Sequence, residues 1–479
     1  MDKTPPDSAS LGDVLDGRES GHTTPTRPTG GRRCPIRILI VGGGCAGTAA
    51  ALGLQHALAA RLRNGDAEIT VVEPQPYLTY HPLLAEVAAG SIDPRHVVVP
   101  LRRLLPQCRV LTARVTRIDH ATRTARIDTA PRGGTGTVTE LPYDHVVVAP
   151  GSVSRTDPVP GLAEHGLGFA SVGEAVALRN HLLEQLDLAS STRDPELRQS
   201  ALTFVFVGGG YAGVGALAEL EDMARHAVRG YHNLTADDLR WVLVEATGRI
   251  LPEEPADLAD HTLAELRERS VDVRLGTTLE SAADRLMTLS DGSRFAARTL
   301  VWTAGARPAP LLRDTDLPLD TDGRIRCLPT LQVRGPGGAP LAGAWAAGDS
   351  AAVPDTTADG ALCAPNAQHA LAQARLLADN LLADLDRRTP ADYHPDRIHC
   401  STSLGIGRGV AHTRRGRVTG RRAWWLHRAR HLRRLPSADR RVRVLTDWLL
   451  GALFTREVVS LGAVEHPRAE FESGFPEHR

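Results

Sequence analysis

The hydrophobic pattern of this chain switches repeatedly between short apolar runs and longer stretches of helical period. Ile36-Arg37-Ile38-Leu39-Ile40-Val41 is nearly all apolar, as expected of a strand covered on both faces. It runs into Gly42-Gly43-Gly44-Cys45-Ala46-Gly47 and then an alanine-rich helix predicted over residues 46–63, which Asn64-Gly65 breaks. Residues 68–73 read as the next strand. Residues 109–139 alternate in strand fashion around a Pro-Arg-Gly-Gly turn, which predicts an inserted antiparallel element. Residues 143–151, ending in Ala149-Pro150-Gly151, read as a buried strand and tight turn.

After a polar stretch at 190–200, which the pattern assigns to a separating connection, the same device returns. Leu202-Thr203-Phe204-Val205-Phe206-Val207 leads into Gly208-Gly209-Gly210-Tyr211-Ala212-Gly213 and another alanine-rich helix. Trp241-Val242-Leu243-Val244-Glu245 repeats the strand that ends in an acid. A further strand and turn is predicted at 299–305; then come Gly343-Ala344-Trp345-Ala346-Ala347-Gly348-Asp349 and a helix opened by Ala364-Pro365-Asn366, proline occupying its first turn. In the tail, helical stretches are predicted at 420–436 and 440–454. The second places Val442, Leu445, Trp448, Leu449, Ala452 and Leu453 on one face, with Arg421, Arg422, Arg428, Arg430, Arg433, Arg434, Arg440, Arg441 and Arg443 around the pair.

Both glycine loops have the G-x-G-x-x-G spacing between a strand and a helix. There the first glycine makes the turn, the second admits a pyrophosphate to the backbone, and the third lets helix meet strand. One match is weak evidence; two in context imply two dinucleotides on one chain. Glu73 and Glu245 end the second strand of each unit, where an acid can bind ribose hydroxyls. Glu245 favours a free 2′-hydroxyl over a 2′-phosphate, with Arg249 nearby as a counterweight. Gly348-Asp349 could supply the carboxylate that a flavin's ribityl hydroxyls need, although in isolation such a pair marks only a turn.

Composition narrows the picture. The 479 residues are 42% hydrophobic and 23% charged, ordinary for a globular protein of two or three domains. Acids and bases balance at 56 each, which argues against a nucleic-acid partner. The six cysteines stand far apart, so neither a zinc site nor a redox disulfide has support, and no metal is expected. Free thiols in a reducing cytoplasm are the plain reading. Residues 1–34 are rich in Thr, Pro, Gly and Asp and read as a disordered extension. No apolar run reaches the ~20 residues that cross a bilayer.

The chain resembles the two-dinucleotide-binding flavoproteins of the pyridine nucleotide oxidoreductase superfamily. Within them it resembles the type II NADH dehydrogenases, the single-subunit NADH:quinone oxidoreductases. The resemblance spans about residues 36–462 and rests on Tyr77-Leu78-Thr79-Tyr80-His81-Pro82-Leu83-Leu84, Ala88-Ala89-Gly90, Val99-Pro100-Leu101-Arg102, Trp302-Thr303-Ala304-Gly305, Gly348-Asp349, Ala367-Gln368 and the tail. It implies an α/β fold of two Rossmann-like dinucleotide-binding domains, the second inserted in the first, with a C-terminal amphipathic helical tail. The implied division is an FAD-binding domain at 35–153 and 319–385, an NADH-binding domain at 154–318, and a membrane-docking or dimerisation region at 386–479.

FAD would then lie on Gly42, Gly44, Cys45, Ala46, Gly47, Glu73, Val115, Ala149, Gly151, Asp349 and Ala367. NADH would lie on Gly208, Gly210, Tyr211, Ala212, Gly213, Glu245 and Gly305, and Gln368 would neighbour the flavin and quinone. The implied activity passes two electrons from NADH through flavin to a membrane quinone, on the cytoplasmic face of the membrane. Three departures bear on the electron acceptor. Gly215 stands where the family has an acid; Ala372 replaces a glutamine, with Gln373 one position late and about 100° away around a helix; Pro150 replaces a threonine. His369 reads as an ordinary helical histidine rather than a replacement. A non-quinone acceptor and an NADH-binding redox sensor therefore stay open as alternatives. For sulfide:quinone oxidation, Cys327 and Cys363 could meet only through folding. The tail's tryptophans and arginines suit a lipid interface, and packing in a homodimer is the other reading.

Overall fold

The computed structural model describes residues 34–130, 136–156, 159–358, 360–395, 401–413, 416–454 and 456–460. Apart from Cys34, the expected N-terminal extension lies outside them, as do the whole Pro-Arg-Gly-Gly turn and Cys400. The fold is that of Pro35–Arg479, a unit separate from Met1–Cys34.

The elements that position the site follow in chain order. The first unit supplies β1 (Ile36–Val41), α1 (Cys45–Ala57), β2 (Ala67–Glu73), α2 (Leu84–Ala88), β3 (Arg109–Thr112) and β4 (His145–Val148). The middle of the chain supplies β5 (Gly166–Gly168), α3 (Val172–Ser191), β6 (Thr203–Val207), α4 (Tyr211–Ala227), β7 (Arg240–Glu245), β8 (Val271–Leu275) and β9 (Thr299–Trp302). Then come β10 (Gln332–Arg334), β11 (Pro340–Ala346) and α5 (Ala367–Leu385), followed by the tail helices α6 (Gly420–Arg434) and α7 (Ala438–Leu453).

Two sheets result. The first has the order β10-β11-β4-β1-β2-β3 and the second the order β5-β9-β6-β7-β8. All pairings are parallel except that of β10 with β11. The chain thus leaves the first sheet after β4, builds the whole second sheet, and returns with β10 and β11. This is the expected insertion of one Rossmann-like unit in another. A two-stranded antiparallel ribbon, Ser152–Ser154 against Ala306–Pro308, marks both crossings.

The apolar runs form central strands because helices and loops cover both faces. Ile38, Ile40, Val71 and Val146 to Val148 are at most 1% exposed, as are Phe204, Val205, Phe206 and Val242. Burying each such side chain contributes about 1.5–3 kcal/mol. The α1 and α5 helices cross over the first sheet, and Gly53 permits it: a Cβ there would come within 2.8 Å of Ala378.

Several local expectations are corrected. The first helix stops at Ala57, and a separate short helix, Ala59–Asn64, follows after Leu58, whose side chain turns into the core at 2% exposure. The polar stretch at 190–200 is no loose connection. Asp194 accepts hydrogen bonds from the backbone N–H groups of Glu196 and Leu197 and caps a helix, Pro195–Ala201. Pro365 lies before the α5 helix rather than in its first turn, because Asn366 is the cap and accepts from the N–H of Gln368 at 2.8 Å. Of the predicted antiparallel insert, β3 instead joins the parallel sheet. Arg114–Asp119, Thr124–Asp128 and Val138–Pro142 make the antiparallel element.

Candidate functional site: two glycine loops and a buried ionic cluster

The two glycine loops are built alike. Gly42 and Gly208 adopt φ of +102° and +113°, closed to ordinary side chains, and turn the chain from strand to helix. A Cβ on Gly47 or Gly213 would overlap the carbonyl oxygen of Gly42 or Gly208, which lets α1 and α4 sit close on their strands. Above Gly44 and Gly210, by contrast, nothing lies within 4 Å of an added Cβ. These residues precede helix N-termini that no side chain caps. Each loop therefore leaves open space beside the backbone N–H groups of a helix N-terminus, a cradle of the right kind for a pyrophosphate.

An acid closes each loop from the neighbouring strand. Glu73 accepts from Gly43 N at 2.6 Å and Gln75 N at 3.0 Å. Glu245 accepts from Gly209 N at 2.6 Å and from Thr247 N and Oγ1, both at 2.7 Å. Burial pushes the Glu73 carboxyl up from its ordinary value, against the pull of those two N–H groups and Arg114. Val115 is buried, one residue beyond the turn where Ala113 N donates to Glu73 O. Ala149, at the end of β4, donates its N–H to Val41 O, and its carbonyl packs where a Cβ of Gly42 would stand. Gly151 and Gly305 lie at turns flanking the ribbon, and Arg155 N donates to Gly305 O at 3.2 Å. In the second loop Tyr211 donates its hydroxyl to Glu254. The Arg249 guanidinium donates to the carbonyls of Leu251, Pro252 and Glu254, so it turns away from Glu245.

Asp349 stands beside the first loop. Its Oδ2 accepts from Ser152 Oγ at 2.7 Å, and with burial, which dominates, its charge pushes the Cys45 thiol up to about 11. Gln373, one position beyond the family's glutamine, is 2% exposed and accepts from Gly348 N at 2.9 Å. It fixes the turn that presents Asp349, while Ala372 faces solvent. Ala367 and Gln368 form the first turn of α5, exposed and half-buried respectively. His369 has a partner, Tyr393 Oη at 2.9 Å, and lines a cavity of about 500 Å³ with Glu253, Glu254, Asn366 and His412. Cys327 and Cys363 are free thiols, each within hydrogen-bond reach of carbonyl oxygens. Among the described residues no cluster of metal-ligating side chains occurs.

Gly215 lies on a closely packed face of α4. A Cβ there would stand 3.3 Å from Thr402 Oγ1 and 3.8 Å from the Ala85 Cβ, so α2 and the strand Ser401–Ser403 approach this position. One helical turn on stands another carboxylate, Glu219. It is 2% exposed, accepts from Ser403 Oγ and Gly405 N, and lies 3.9 Å from the Arg456 guanidinium.

Near it lies Glu86, 1% exposed on α2. Glu86 accepts from Trp448 Nε1 at 2.7 Å and Arg428 at 3.4 Å, and faces His427 Nε2 at 3.6 Å. Arg428 stacks on Trp424 and Trp448, its guanidinium carbon 3.8 and 4.7 Å from the ring centroids. Two expectations for the tail are thereby corrected. Arg428 and Trp448 turn inward to this cluster rather than outward, and the exposed apolar face of α7 is Val442, Leu445, Leu449, Leu450 and Leu453. The sequence signal for the cluster was weak: isolated acids, Glu86 and Glu219, inside apolar helical stretches.

Known proteins resemble this chain in sequence and fold. The family profile described as pyridine nucleotide-disulphide oxidoreductase matches residues 36–374. A type II NADH:quinone oxidoreductase of Mycobacterium tuberculosis is 28% identical over 435 residues, 88% of this chain and 89% of that protein. A demethylphylloquinone reductase of Synechocystis is 28% identical over 422 residues, 86% of this chain and 95% of its own length. The fold of NDH2 from Plasmodium falciparum, solved in complex with NADH, superposes with a TM-score of 0.79 at 15% identity, covering 88% of this chain and 99% of that one. With the profile running from β1 into α5, through both glycine loops and the Gly348-Asp349 turn, the chain belongs to the pyridine nucleotide-disulphide oxidoreductase family.

Proposed function

We propose that this chain is an FAD-dependent NADH:quinone oxidoreductase that works at a membrane surface. The observation that carries the reading is the pair of equivalent loop-and-acid sites on one chain, in a sequence that follows quinone-reducing relatives along nearly its whole length. FAD, when bound, supplies a group that takes a hydride equivalent from NADH and gives two electrons to a quinone.

The residues of the chain supply position and charge. Around the first loop, Gly44 and the uncapped α1 terminus would receive the FAD pyrophosphate, Glu73 the adenosine ribose, and Asp349 the ribityl chain. Ser152 and Gln373 hold Asp349 and its turn in place. At the second loop Gly210 and α4 would receive NADH, and Glu245 would repel a 2′-phosphate while Arg249 is engaged elsewhere. Gln368, in the first turn of α5, is the proposed neighbour of flavin and quinone. The acceptor is read as a quinone despite Gly215, because Glu219 brings a carboxylate to the same helix one turn later.

Docking is assigned to the tail. Leu445, Leu449, Leu450, Leu453 and Phe454 form an exposed apolar surface, edged by Arg440, Arg441 and Arg443. Among the described residues no helix is long and apolar enough to cross a membrane. The proposed seat is therefore the bilayer interface, on the cytoplasmic face; a homodimer through the same surface is the competing use.

The test is reconstitution. Full-length holoenzyme is mixed with liposomes with and without a menaquinone or ubiquinone, and NADH oxidation and flotation are followed together. The reading predicts flotation and NADH oxidation that needs the quinone. NADH bleaching of the flavin with no quinone-dependent turnover would instead identify another acceptor, and a long-lived charge-transfer complex a sensor.

A further inference from the structure

The two glycine loops stand on different sheets, yet an unbroken run of contacts joins them. At the second loop the segment 249–255 is tied down at several points. Leu251 N donates to Gly209 O at 2.8 Å, Tyr211 donates its hydroxyl to Glu254, and Arg249 donates to the carbonyls of Leu251, Pro252 and Glu254. Leu251 is 1% exposed and adopts φ of +47°. A leucine stays in that left-handed region only where its surroundings over-determine it. The segment therefore moves with the Gly209 peptide and not apart from it.

From this segment Glu253 reaches across to the flavin side. Its Oε2 accepts from Asn366 Nδ2 at 2.9 Å. Asn366 is also the cap of α5, its Oδ1 accepting from Gln368 N at 2.8 Å. Further along that helix Gln373 accepts from Gly348 N, and Asp349 in the same turn accepts from Ser152 Oγ. Every link from Gly209 to Asp349 is thus a direct hydrogen bond or continuous backbone. Glu253 and Asn366 both line the cavity of about 500 Å³, so their bond ties its two sides together.

An amide suits both tasks at position 366. Capping needs an acceptor and a carboxylate partner needs a donor; Asn offers both, whereas Asp, an equally good cap, offers only acceptors when ionised. The cap holds the Asn366 side chain in place beforehand, so bonding Glu253 costs little further rotamer freedom. Glu253 is exposed and Asn366 half-buried, so the bond adds little to stability. What it sets is position.

We propose that Asn366 is a positioning residue: its bond to Glu253 sets where the second loop, and the NADH it would carry, stands relative to the flavin beside α5. The inference rests on the NADH-to-flavin reading above. Asn366 acts here through Glu253, without touching a reactant.

Asn366→Asp tests it, because it keeps the cap and turns the contact into two facing carboxylates. Combining it with Glu253→Gln restores a hydrogen bond with donor and acceptor exchanged, at the wild-type net charge. The first readout needs no added nucleotide: hydrogen exchange, followed by mass spectrometry, on the full-length protein as purified. Residues 249–255 should exchange about tenfold faster in Asn366→Asp, the scale of one lost hydrogen bond to a charged group. Residues 367–370 should exchange as in the wild type, since the cap remains, and the double variant should match the wild type throughout. The second readout is anaerobic bleaching of the holoenzyme's flavin by saturating NADH, without quinone. Asn366→Asp should lower this limiting rate about tenfold, less than the roughly hundredfold cost of a full 1 Å displacement. The double variant should recover to within about twofold of wild type.

Wild-type bleaching by Asn366→Asp, unchanged exchange at 249–255, or a double variant no better than the single one overturns the proposal. If Asn366→Asp loads no flavin, Glu253→Ala breaks the same bond from the other side, away from α5, and wild-type values there overturn it equally. Wild-type protein that NADH does not bleach refutes the NADH-to-flavin reading, and the proposal with it; a bleached wild type with unaffected variants refutes the proposal alone.

Discussion

Exchanging Gly208 or Gly42 for alanine separates the two loops by function. At Gly208 the φ of +113° costs an alanine about 1–3 kcal/mol of backbone strain. Its Cβ would also come 2.7 Å from Thr303 Oγ1 and 2.9 Å from Ala304 N, well inside the ~3.5 Å of an ordinary contact. Relieving that overlap costs a further ~1–3 kcal/mol, so the loop moves rather than absorbing the whole. A displacement near 1 Å at a binding loop lowers rates about a hundredfold. At Gly42 the φ is +102° and the Cβ would overlap the Ala149 carbonyl, with Ala149 C at 2.7 Å and Pro150 Cα at 2.9 Å, so the local disturbance is at least as large. The two loops belong to different sheets, so each disturbance should stay with its own ligand.

The assay measures the flavin-to-protein ratio by absorbance and flavin bleaching by NADH in a stopped-flow instrument. Gly208→Ala should keep its flavin and bleach about a hundredfold more slowly at limiting NADH, by the same 1 Å scaling. Gly42→Ala should purify largely without flavin. The reverse pattern, or wild-type bleaching by Gly208→Ala, would refute the assignment of FAD to the first loop and NADH to the second.

Three further outcomes are expected. Glu245→Gln should raise the NADPH-to-NADH ratio of kcat/KM about tenfold, since it removes 1–2 kcal/mol of repulsion at a partly screened site; an unchanged ratio in steady-state assays would clear Glu245 of the role. His181, whose Nε2 bonds Thr299 Oγ1 at 3.0 Å, is held down to about 4 chiefly by burial. Its folded value lies below the unfolded one, so its contribution is present above pH ~6.5 and is lost as pH falls towards 4. His181→Gln should accordingly remove up to about 3 kcal/mol of the stability change across that window, read from urea midpoints at several pH values. A slope identical to wild type would contradict it. Leu449→Asp with Leu453→Asp should cut vesicle binding at least about a hundredfold, as two exposed leucines lose ~1.5–3 kcal/mol each of burial in lipid; flotation equal to wild type would move the tail's apolar face to another use.

The two strand-loop-helix units were legible in the sequence because each is local. Ile36 to Glu73 and Leu202 to Glu245 carry the glycines, the apolar runs and the closing acids within about one supersecondary unit. Their insertion order was legible for the same reason, with Gly348-Asp349 returning after both loops. What pattern could not reach is packing between segments far apart. Glu86, His427, Arg428 and Trp448 meet only when α6 and α7 fold back on α2, and nothing in helical period tells an inward Trp448 from an outward Leu449. Gln373 shows the same limit: a shift of one helical position says how far a side chain turns, but not that Gly348 waits on the new side. Gly215 is another case: its neighbour Thr402 comes from nearly two hundred positions away.

Anaerobic double-mixing stopped flow tests the central claim most directly. The holoenzyme is first mixed with one equivalent of NADH, and the bleached flavin is then mixed with a quinone analogue. The account predicts rapid bleaching, then recovery of oxidised flavin at a rate that rises with quinone concentration, one quinol formed per NADH consumed. Flavin that stays bleached in the presence of quinone would contradict it.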